Sequence, residues 1–114
     1  MLENGTTVYS KDVVSQPTKG RKLVLLGDTS NPSSIINLGK NCDLLVHETT
    51  LRNVEMRKAI SRGHSTPKMA GKIGYNMKAK NMIITHFGGR ASKEKLIKQL
   101  VSETKAYLLL IINY

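Results

Sequence analysis

Three short apolar runs each end in residues that can bind a metal ion or move a proton. The residues at these ends are Asp28, the pair His47 and Glu48, and His86. If the runs are parallel strands, their carboxyl ends meet at one edge of a sheet, where the ligands of open α/β proteins gather. Asp and His brought together in this way are typical of a metal-dependent hydrolytic site.

Asp28 stands in the triplet Gly27-Asp28-Thr29, directly after the first run. A carboxylate has two oxygens and can bridge two metal ions, which a neutral imidazole nitrogen cannot do. Two ions roughly 3.5–4 Å apart can clamp the attacking and leaving oxygens of a phosphodiester. The alternative is that Asp28 caps the following turn, as strand-end Asp residues often do.

His86 follows the third run and shortly precedes Gly88, Gly89 and Arg90. A neutral imidazole suits zinc if an outer partner holds its second nitrogen. The glycines would let backbone amides approach an anion, and Arg90 could bind a phosphate in a forked geometry. The alternatives are a hydrogen-bonded structural histidine and a solvated or salt-bridged arginine.

Glu48 and His64 are a candidate pair for proton transfer. Glu48 could accept a hydrogen bond from His64 and stabilise its charged form, which would make His64 a general acid. Ser65 and Thr66 follow His64 just before a predicted helix, where free backbone N–H groups can receive a phosphate. The alternative is that these are unrelated polar residues.

The pattern of apolar and turn residues predicts elements in the order β-α-β-α-α-β-α-β. Strands are predicted at Leu23–Leu26, Asp43–His47, Asn81–Thr85 and Tyr107–Ile112, and helices at Ser33–Leu38, Asn53–Arg62, Pro67–Met77 and Ser92–Thr104. This alternation predicts an α/β fold with a mostly parallel sheet and right-handed crossovers. Residues 1–22 are interpreted as an approach segment with one candidate strand at Thr6–Tyr9, and residues 23–114 as one partial domain.

The composition narrows the function classes. The 114 residues carry a net charge of +10, which favours a polyanionic partner such as RNA. The single cysteine, Cys42, excludes an internal disulfide and fits a reducing, intracellular compartment, cytoplasmic or nuclear. We expect no signal peptide, because the first residues, Met1-Leu2-Glu3-Asn4-Gly5, contain no apolar run. We expect no membrane span, because the apolar run from Tyr107 to Ile112 is far shorter than the roughly 20 residues a membrane helix needs.

Taken together, five ordered motifs resemble the C-terminal half of ribonuclease Z, the endonuclease that trims tRNA 3′ ends. The resemblance covers roughly residues 17 to 91. It comprises Gly20-Arg21-Lys22 before a strand, Gly27-Asp28-Thr29, Asp43-Leu44-Leu45-Val46-His47-Glu48, Gly63-His64-Ser65-Thr66, and Thr85-His86-Phe87 with Arg90. The resemblance implies the C-terminal half of a metallo-β-lactamase αββα sandwich.

The resemblance also implies a role for each matching residue. Asp28 would bridge two zinc ions, with Mn²⁺ as a possible substitute, and His86 would bind one of them. His64 would protonate the leaving 3′ oxygen, with Glu48 orienting it. The substrate would be precursor tRNA, and Ser65, Thr66 and Arg90 would contact its phosphate.

Two kinds of departure from the family stand out. The family usually continues Ser-x-Arg-Tyr after His-Phe, where this chain has Gly88, and it has a small Ala where this chain has Thr49. The His-x-His-x-Asp-His motif is absent, since the only histidines are His47, His64 and His86. We therefore expect a chain that is inactive alone, that needs the N-terminal half of the fold as a partner, and that self-associates through an uncovered sheet face. The rival hypothesis is a non-catalytic basic α/β module that binds RNA or a protein partner.

Overall fold

The computed structural model describes residues 2–88 and 94–112, with side chains described as far as residue 106. In chain order the elements are α1 Ser10–Val13, β1 Leu23–Leu25, a 3-10 turn Ser33–Ile35, β2 Leu44–Glu48, a second 3-10 turn Asn53–Glu55, α2 Met56–Ser61, α3 Pro67–Asn76, β3 Met82–Thr85 and α4 Glu94–Ile112. The predicted α/β class is confirmed.

The three strands form one parallel sheet in the order β1-β2-β3, so β2 is the central strand. Within one row of the sheet, Leu25 pairs with Val46, and Val46 pairs with Ile83. Parallel pairing brings the carboxyl ends of all three strands to the same edge. The residues that follow the strands are therefore collected there, as the sequence predicts.

The two faces of the sheet differ in burial. The core lies on the helix-facing side and consists of Cys42, Leu45, Ile73 and Met77, with Val24 and Met82 packed against it. On the opposite face, Leu25 is 71% exposed and Ile83 is 49% exposed. Strands of a parallel sheet are normally buried on both faces. Within the described residues, the second face is open to solvent.

The turn from α2 to α3 has the local chemistry that the sequence predicts. Gly63 follows α2 with φ +71°, a left-handed conformation that glycine adopts without strain. Thr66 caps α3 by accepting a hydrogen bond from the backbone N–H of Met69 at 3.4 Å, and Pro67 occupies the first turn. This turn carries His64, so its geometry fixes where the imidazole is presented.

The predicted strand at Tyr107–Ile112 is wrong, because α4 continues through these residues as one helix, Glu94–Ile112. The segment contains Ala106 and leucines at 108–110, which favour a helix, and it has no glycine or proline. Extending an existing helix also avoids the unfavourable nucleation step. Along residues 2–88 and 94–112, no helix is both long and apolar enough to cross a membrane.

The approach segment also differs from its prediction. Residues 6–9 are not in a strand, and a short helix, α1, follows them. The reason is local, since the side chain of Asp12 accepts a hydrogen bond from the backbone N–H of Tyr9 at 2.9 Å and so starts a helical turn. The helix start predicted at Ser92 lies outside the described residues.

His47, which lies near the end of β2, is fully buried. Its Nδ1 lies 2.8 Å from the backbone oxygen of Glu48, and its Nε2 has no hydrogen-bond partner among the described residues. Burial lowers the pKa of His47 below its usual value, because the charged imidazolium would lose its hydration, while the neighbouring Glu48 partly opposes the shift.

The first prediction concerns the one-sided core. Leu45→Ala should lower the free energy of unfolding by roughly 2–5 kcal/mol, because it leaves a cavity in the central strand. Leu25→Ala on the open face is the matched control and should have a much smaller effect. Urea unfolding followed by circular dichroism measures both. Equal losses in the two variants would contradict a core that lies on one face only.

The second prediction follows from the lowered pKa of His47. Below about pH 6.5, His47 binds a proton in the unfolded state but stays neutral in the folded state, where its pKa is lower. The free energy of unfolding should therefore fall as the pH drops from 7.5 to 5.5. The free energy of unfolding, measured across this range, should fall less steeply in His47→Gln. An unchanged slope in that variant would show that His47 does not cause the pH dependence.

Candidate metal centre

Three potential metal ligands meet at the carboxyl edge of the sheet. Asp28 lies in the loop after β1, His86 directly follows β3, and His64 lies in the turn between α2 and α3. One side-chain ligand atom of each lies within 4.8 Å of the other two. The proximity that the sequence predicts is therefore observed, while the roles of the three residues stay predictions.

Asp28 and His86 form the closest pair in this group. The Nδ1 atom of His86 lies 2.7 Å from Oδ1 of Asp28, and the two side chains are 50% and 54% exposed, respectively. The hydroxyl of Thr50 lies 3.2 Å from the same Nδ1 atom. His86 is thus held at one ring nitrogen while the ring stays accessible from solvent.

The backbone around His86 is unusual. His86 has φ +54°, in the left-handed region that residues with a Cβ seldom adopt, and such conformations are often found at functional sites. Two residues later, the N–H of Gly88 donates to the backbone oxygen of Thr50 at 3.2 Å. A Cβ atom at position 88 would lie only 2.7 Å from that oxygen. The glycine therefore allows a close approach of two backbones beside the site.

Glu48 is the buried centre of the arrangement, at 1% exposure. Its Oε1 accepts hydrogen bonds from the backbone N–H groups of Ser65 at 2.6 Å and Thr29 at 3.3 Å. Its Oε2 accepts from the N–H of Thr50 at 2.8 Å and from the hydroxyl of the same residue at 2.7 Å. Four donors from three segments therefore converge on one carboxylate.

The predicted contact between His64 and Glu48 is present, although it is not a hydrogen bond. Nδ1 of His64 lies 3.4 Å from Oε1 of Glu48, yet it has no hydrogen-bond partner in the described part of the chain. The distance satisfies an electrostatic contact, while the geometry does not satisfy a hydrogen bond. The same Oε1 atom already accepts from the backbone N–H groups of Ser65 and Thr29. The imidazole rings of His64 and His86 lie 5.7 Å apart between centroids, tilted by 52°.

The three predicted phosphate contacts have different outcomes. Ser65 and Thr66 are fully buried, and their side chains serve the fold: the Ser65 hydroxyl donates to the backbone oxygen of Thr29, and Thr66 caps α3. A phosphate contact by either residue stays a prediction and would have to replace these bonds. Arg90 lies outside the described residues.

The donor set fits zinc better than a hard cation. Zinc takes imidazole nitrogens and carboxylate oxygens in a four-coordinate shell, whereas magnesium and calcium prefer oxygen donors. Asp28, His64 and His86 offer one carboxylate and two imidazoles within reach of each other. His47 cannot join them without leaving the core, where it is fully buried.

Two residues of this site, Thr29 and Thr50, were not predicted from the sequence. Both hold Glu48 by hydrogen bonds, and Thr50 also contacts His86. Thr29 directly follows Asp28, and Thr50 stands two residues after Glu48. A threonine after a strand is, however, equally typical of an ordinary turn. No signal in the sequence alone distinguishes the two roles.

The third prediction tests the central carboxylate. Glu48→Gln replaces one acceptor oxygen by an NH₂ group, so donors on one side of the side chain lose their partner. We expect the free energy of unfolding, measured by urea denaturation, to fall by roughly 1–3 kcal/mol. Amide hydrogen exchange should also become faster at Ser65 or Thr50, whose N–H groups donate to Glu48. Glu94→Gln, on the exposed face of α4, is the matched control and should stay close to the parent. An unchanged stability in Glu48→Gln would contradict the role of Glu48 as the centre of the network.

Comparison with known proteins identifies relatives along most of the chain. It is 37% identical over 105 residues to ribonuclease BN of Cronobacter sakazakii, which covers 92% of this chain and 34% of that protein. It is 40% identical over 101 residues to the human zinc phosphodiesterase ELAC protein 1, with 87% of this chain and 28% of that protein covered. Ribonuclease Z of Streptococcus equi is 38% identical over 89 residues. The chain thus spans about a third of the length of these relatives.

Solved structures agree with the sequence comparisons. The crystal structure of the short form of human tRNase Z superposes with a TM-score of 0.59 at 42% identity, covering 62% of this chain and 28% of that one. The metallo-β-lactamase fold protein YhfI of Bacillus subtilis superposes with a TM-score of 0.59 at 25% identity, covering 73% and 33%. No protein-family model matches the chain.

The curated relatives are named ribonuclease BN, ribonuclease Z and zinc phosphodiesterase. The similarity to ribonuclease BN covers 105 residues and so extends beyond the residues 17 to 91 that the motifs cover. The resemblance inferred from the motifs is therefore confirmed. Most of this chain is related to a stretch that makes up about a third of the length of each ribonuclease Z relative. The α/β structure of this chain is a part of the metallo-β-lactamase fold.

Proposed function

We propose that this chain forms part of a zinc-dependent endoribonuclease that trims the 3′ end of precursor tRNA. The single observation that carries the proposal is the cluster of Asp28, His64 and His86, whose ligand atoms lie within 4.8 Å of one another beside the buried Glu48. The names of the relatives support the substrate class and the metal, since they include tRNase Z, ribonuclease Z and zinc phosphodiesterase.

In this proposal Asp28 and His86 hold zinc, with Mn²⁺ as a possible substitute, and a bound ion supplies a nucleophilic water and stabilises developing charge. His64 protonates the leaving 3′ oxygen of the RNA. Glu48 orients the imidazole of His64 from a distance of 3.4 Å. Glu48 cannot move away without breaking the hydrogen bonds that it accepts from the surrounding loops. Ser65, Thr66 and Arg90 remain candidates for contact with the phosphate.

The proposal requires metal ligands from outside these 114 residues. The chain has three histidines, and one of them, His47, is buried in the core. The remaining ligands would come from the part of the fold that corresponds to the rest of the relatives. The exposed face around Leu25 and Ile83 is an apolar surface suited to such a partner, or to a second copy of the chain.

The net charge of +10 supports RNA as the substrate, because basic side chains that neutralise phosphates release condensed counterions. The same charge, together with the small number of metal donors, is what favours the second candidate function. In that case the chain is a basic α/β module that binds RNA or a protein partner inside the cell and has no catalytic role.

The fourth prediction separates the two functions. The chain, mixed with the remaining portion of a ribonuclease Z relative and Zn²⁺ or Mn²⁺, should cleave a precursor tRNA and leave a 3′ hydroxyl, whereas the chain alone should not. Asp28→Ala should abolish cleavage, because the exposed carboxylate is the proposed metal bridge. His64→Ala should slow it by about 10²–10⁴-fold, the usual contribution of a general acid.

Asp12→Ala, which removes an exposed carboxylate of the approach segment, is the matched control and should leave cleavage unchanged. Binding of the tRNA is measured in parallel as a function of salt. Steeply salt-dependent binding without cleavage, even when the remaining portion is supplied, would refute the enzyme and favour the binding module. Cleavage by the mixture that persists in Asp28→Ala would refute the proposed metal bridge.

A further inference from the structure

The residue that joins the two halves of the candidate site is Thr50, in the loop directly after β2. Its side-chain oxygen lies 2.7 Å from Oε2 of Glu48 and 3.2 Å from Nδ1 of His86. Its backbone N–H donates to the same Glu48 oxygen, and its backbone oxygen accepts from the N–H of Gly88. One residue thus contacts the carboxylate beside His64 and the segment that carries His86.

The proton on the Thr50 hydroxyl has a defined direction. The hydroxyl has one proton and can otherwise only accept. Both oxygens of Glu48 act as acceptors, because four donors converge on them, so the Thr50 proton points to Oε2. Towards His86 the Thr50 oxygen can therefore only accept, and Nδ1 of His86 must be the donor.

This direction selects one tautomer of the neutral His86 ring. With its proton on Nδ1, the ring leaves Nε2 unprotonated, and a nitrogen must be unprotonated to bind a metal ion. Asp28, 2.7 Å from the same Nδ1, favours the same tautomer. Asp28 and Thr50 are thus the two possible acceptors for the Nδ1 proton of His86. Asp28 is itself a proposed metal ligand, whereas the Thr50 hydroxyl is not and stays available as an acceptor when a metal ion binds.

We propose that Thr50 is a positioning residue: its hydroxyl fixes the ring of His86 in the tautomer with a free Nε2 and couples that ring to the Glu48 carboxylate. Through this one oxygen the ring of His86 and the carboxylate that lies beside His64 share a hydrogen-bond chain. The inference deepens the proposed function, because it takes His86 as a metal ligand.

The backbone supports this role of Thr50. The Gly88 N–H bond holds the segment after β3 against the Thr50 carbonyl, at a separation where a Cβ at position 88 would lie 2.7 Å from the oxygen. His86 reaches the contact from a left-handed backbone conformation, φ +54°. His86 is therefore held against Thr50 in two ways: its Nδ1 contacts the Thr50 hydroxyl, and the backbone two residues later, at Gly88, bonds to the Thr50 carbonyl.

The fifth prediction compares Thr50→Val, which keeps the shape and removes the hydroxyl, with Thr50→Ser, which keeps the hydroxyl. Ring nitrogen NMR of the metal-free chain reports the tautomer of His86. Because Asp28 also favours the Nδ1–H form, both variants are placed in an Asp28→Ala background. We expect the Nδ1–H form to persist with Thr50 or Ser at this position and to be lost with Val.

A second readout is the Zn²⁺ affinity of the chain with Asp28 intact, measured by equilibrium dialysis. Thr50→Val should weaken binding by about 10–100-fold, the usual effect of removing a partner that orients a ligand, and Thr50→Ser should restore most of it. Circular dichroism confirms that each variant is folded. If Val keeps the Nδ1–H tautomer, or if Ser weakens Zn²⁺ binding as much as Val, the inference is wrong.

These readouts need no RNA. A chain that shows the Thr50 effects but does not cleave precursor tRNA would retain this inference while the proposed substrate fails. A chain that cleaves precursor tRNA without the Thr50 effects would retain the proposed function while this inference fails.

Discussion

The carboxylate of Glu48 is the contact on which the functional end of this fold depends. It is buried, and a buried carboxylate is strongly destabilising unless hydrogen bonds replace its lost hydration. The replacements come from Thr29 after β1, Thr50 after β2, and Ser65 before α3. Three loops that are far apart in sequence must therefore fold onto one side chain, and this requirement sets their mutual positions.

The residues proposed for chemistry are arranged around this centre with the opposite exposure. Glu48 is excluded from solvent, whereas Asp28 and His86 are about half exposed. Hydrogen bonds to the buried Glu48 carboxylate hold the loops in place. The potential ligand atoms of Asp28 and His86 extend from this edge of the sheet toward solvent. The loops that carry Asp28 and His64 are thus positioned by hydrogen bonds to Glu48, which a bound ion would not replace.

The sequence predicted the parts of this arrangement that depend on local pattern. Short apolar runs predicted the three strands, and the parallel topology then predicted that the residues after them would meet at one edge. The cap at Thr66 and the turn at Gly63 rest on residue preferences that are equally local. The strand predicted at Tyr107–Ile112 failed because a short apolar run fits a strand or a helix, and the preceding helix decided between them.

What the sequence could not predict depends on tertiary contacts of a single atom. The hydroxyl of Thr50 acquires its meaning only when β3 delivers His86 to it from 36 residues further along the chain. The contact of His64 with Glu48 was expected as a hydrogen bond, but it is a 3.4 Å contact to an oxygen that accepts from the backbone N–H groups of Ser65 and Thr29. Residue types and spacing do not encode which of several nearby donors is aligned with one oxygen.

The open face of the sheet is linked to the site through the central strand. Val46 lies in the exposed row with Leu25 and Ile83, and Glu48 follows it two residues later on the same strand. Any partner that covers this row buries apolar surface against β2, and its binding free energy adds to the stability of the folded state. Because Glu48 is fastened to three loops, a more stable β2 also means more stable positions for the loops that present Asp28, His64 and His86. A covering partner would thus stabilise the candidate site even if it supplied no ligand to it, because both depend on the position of β2.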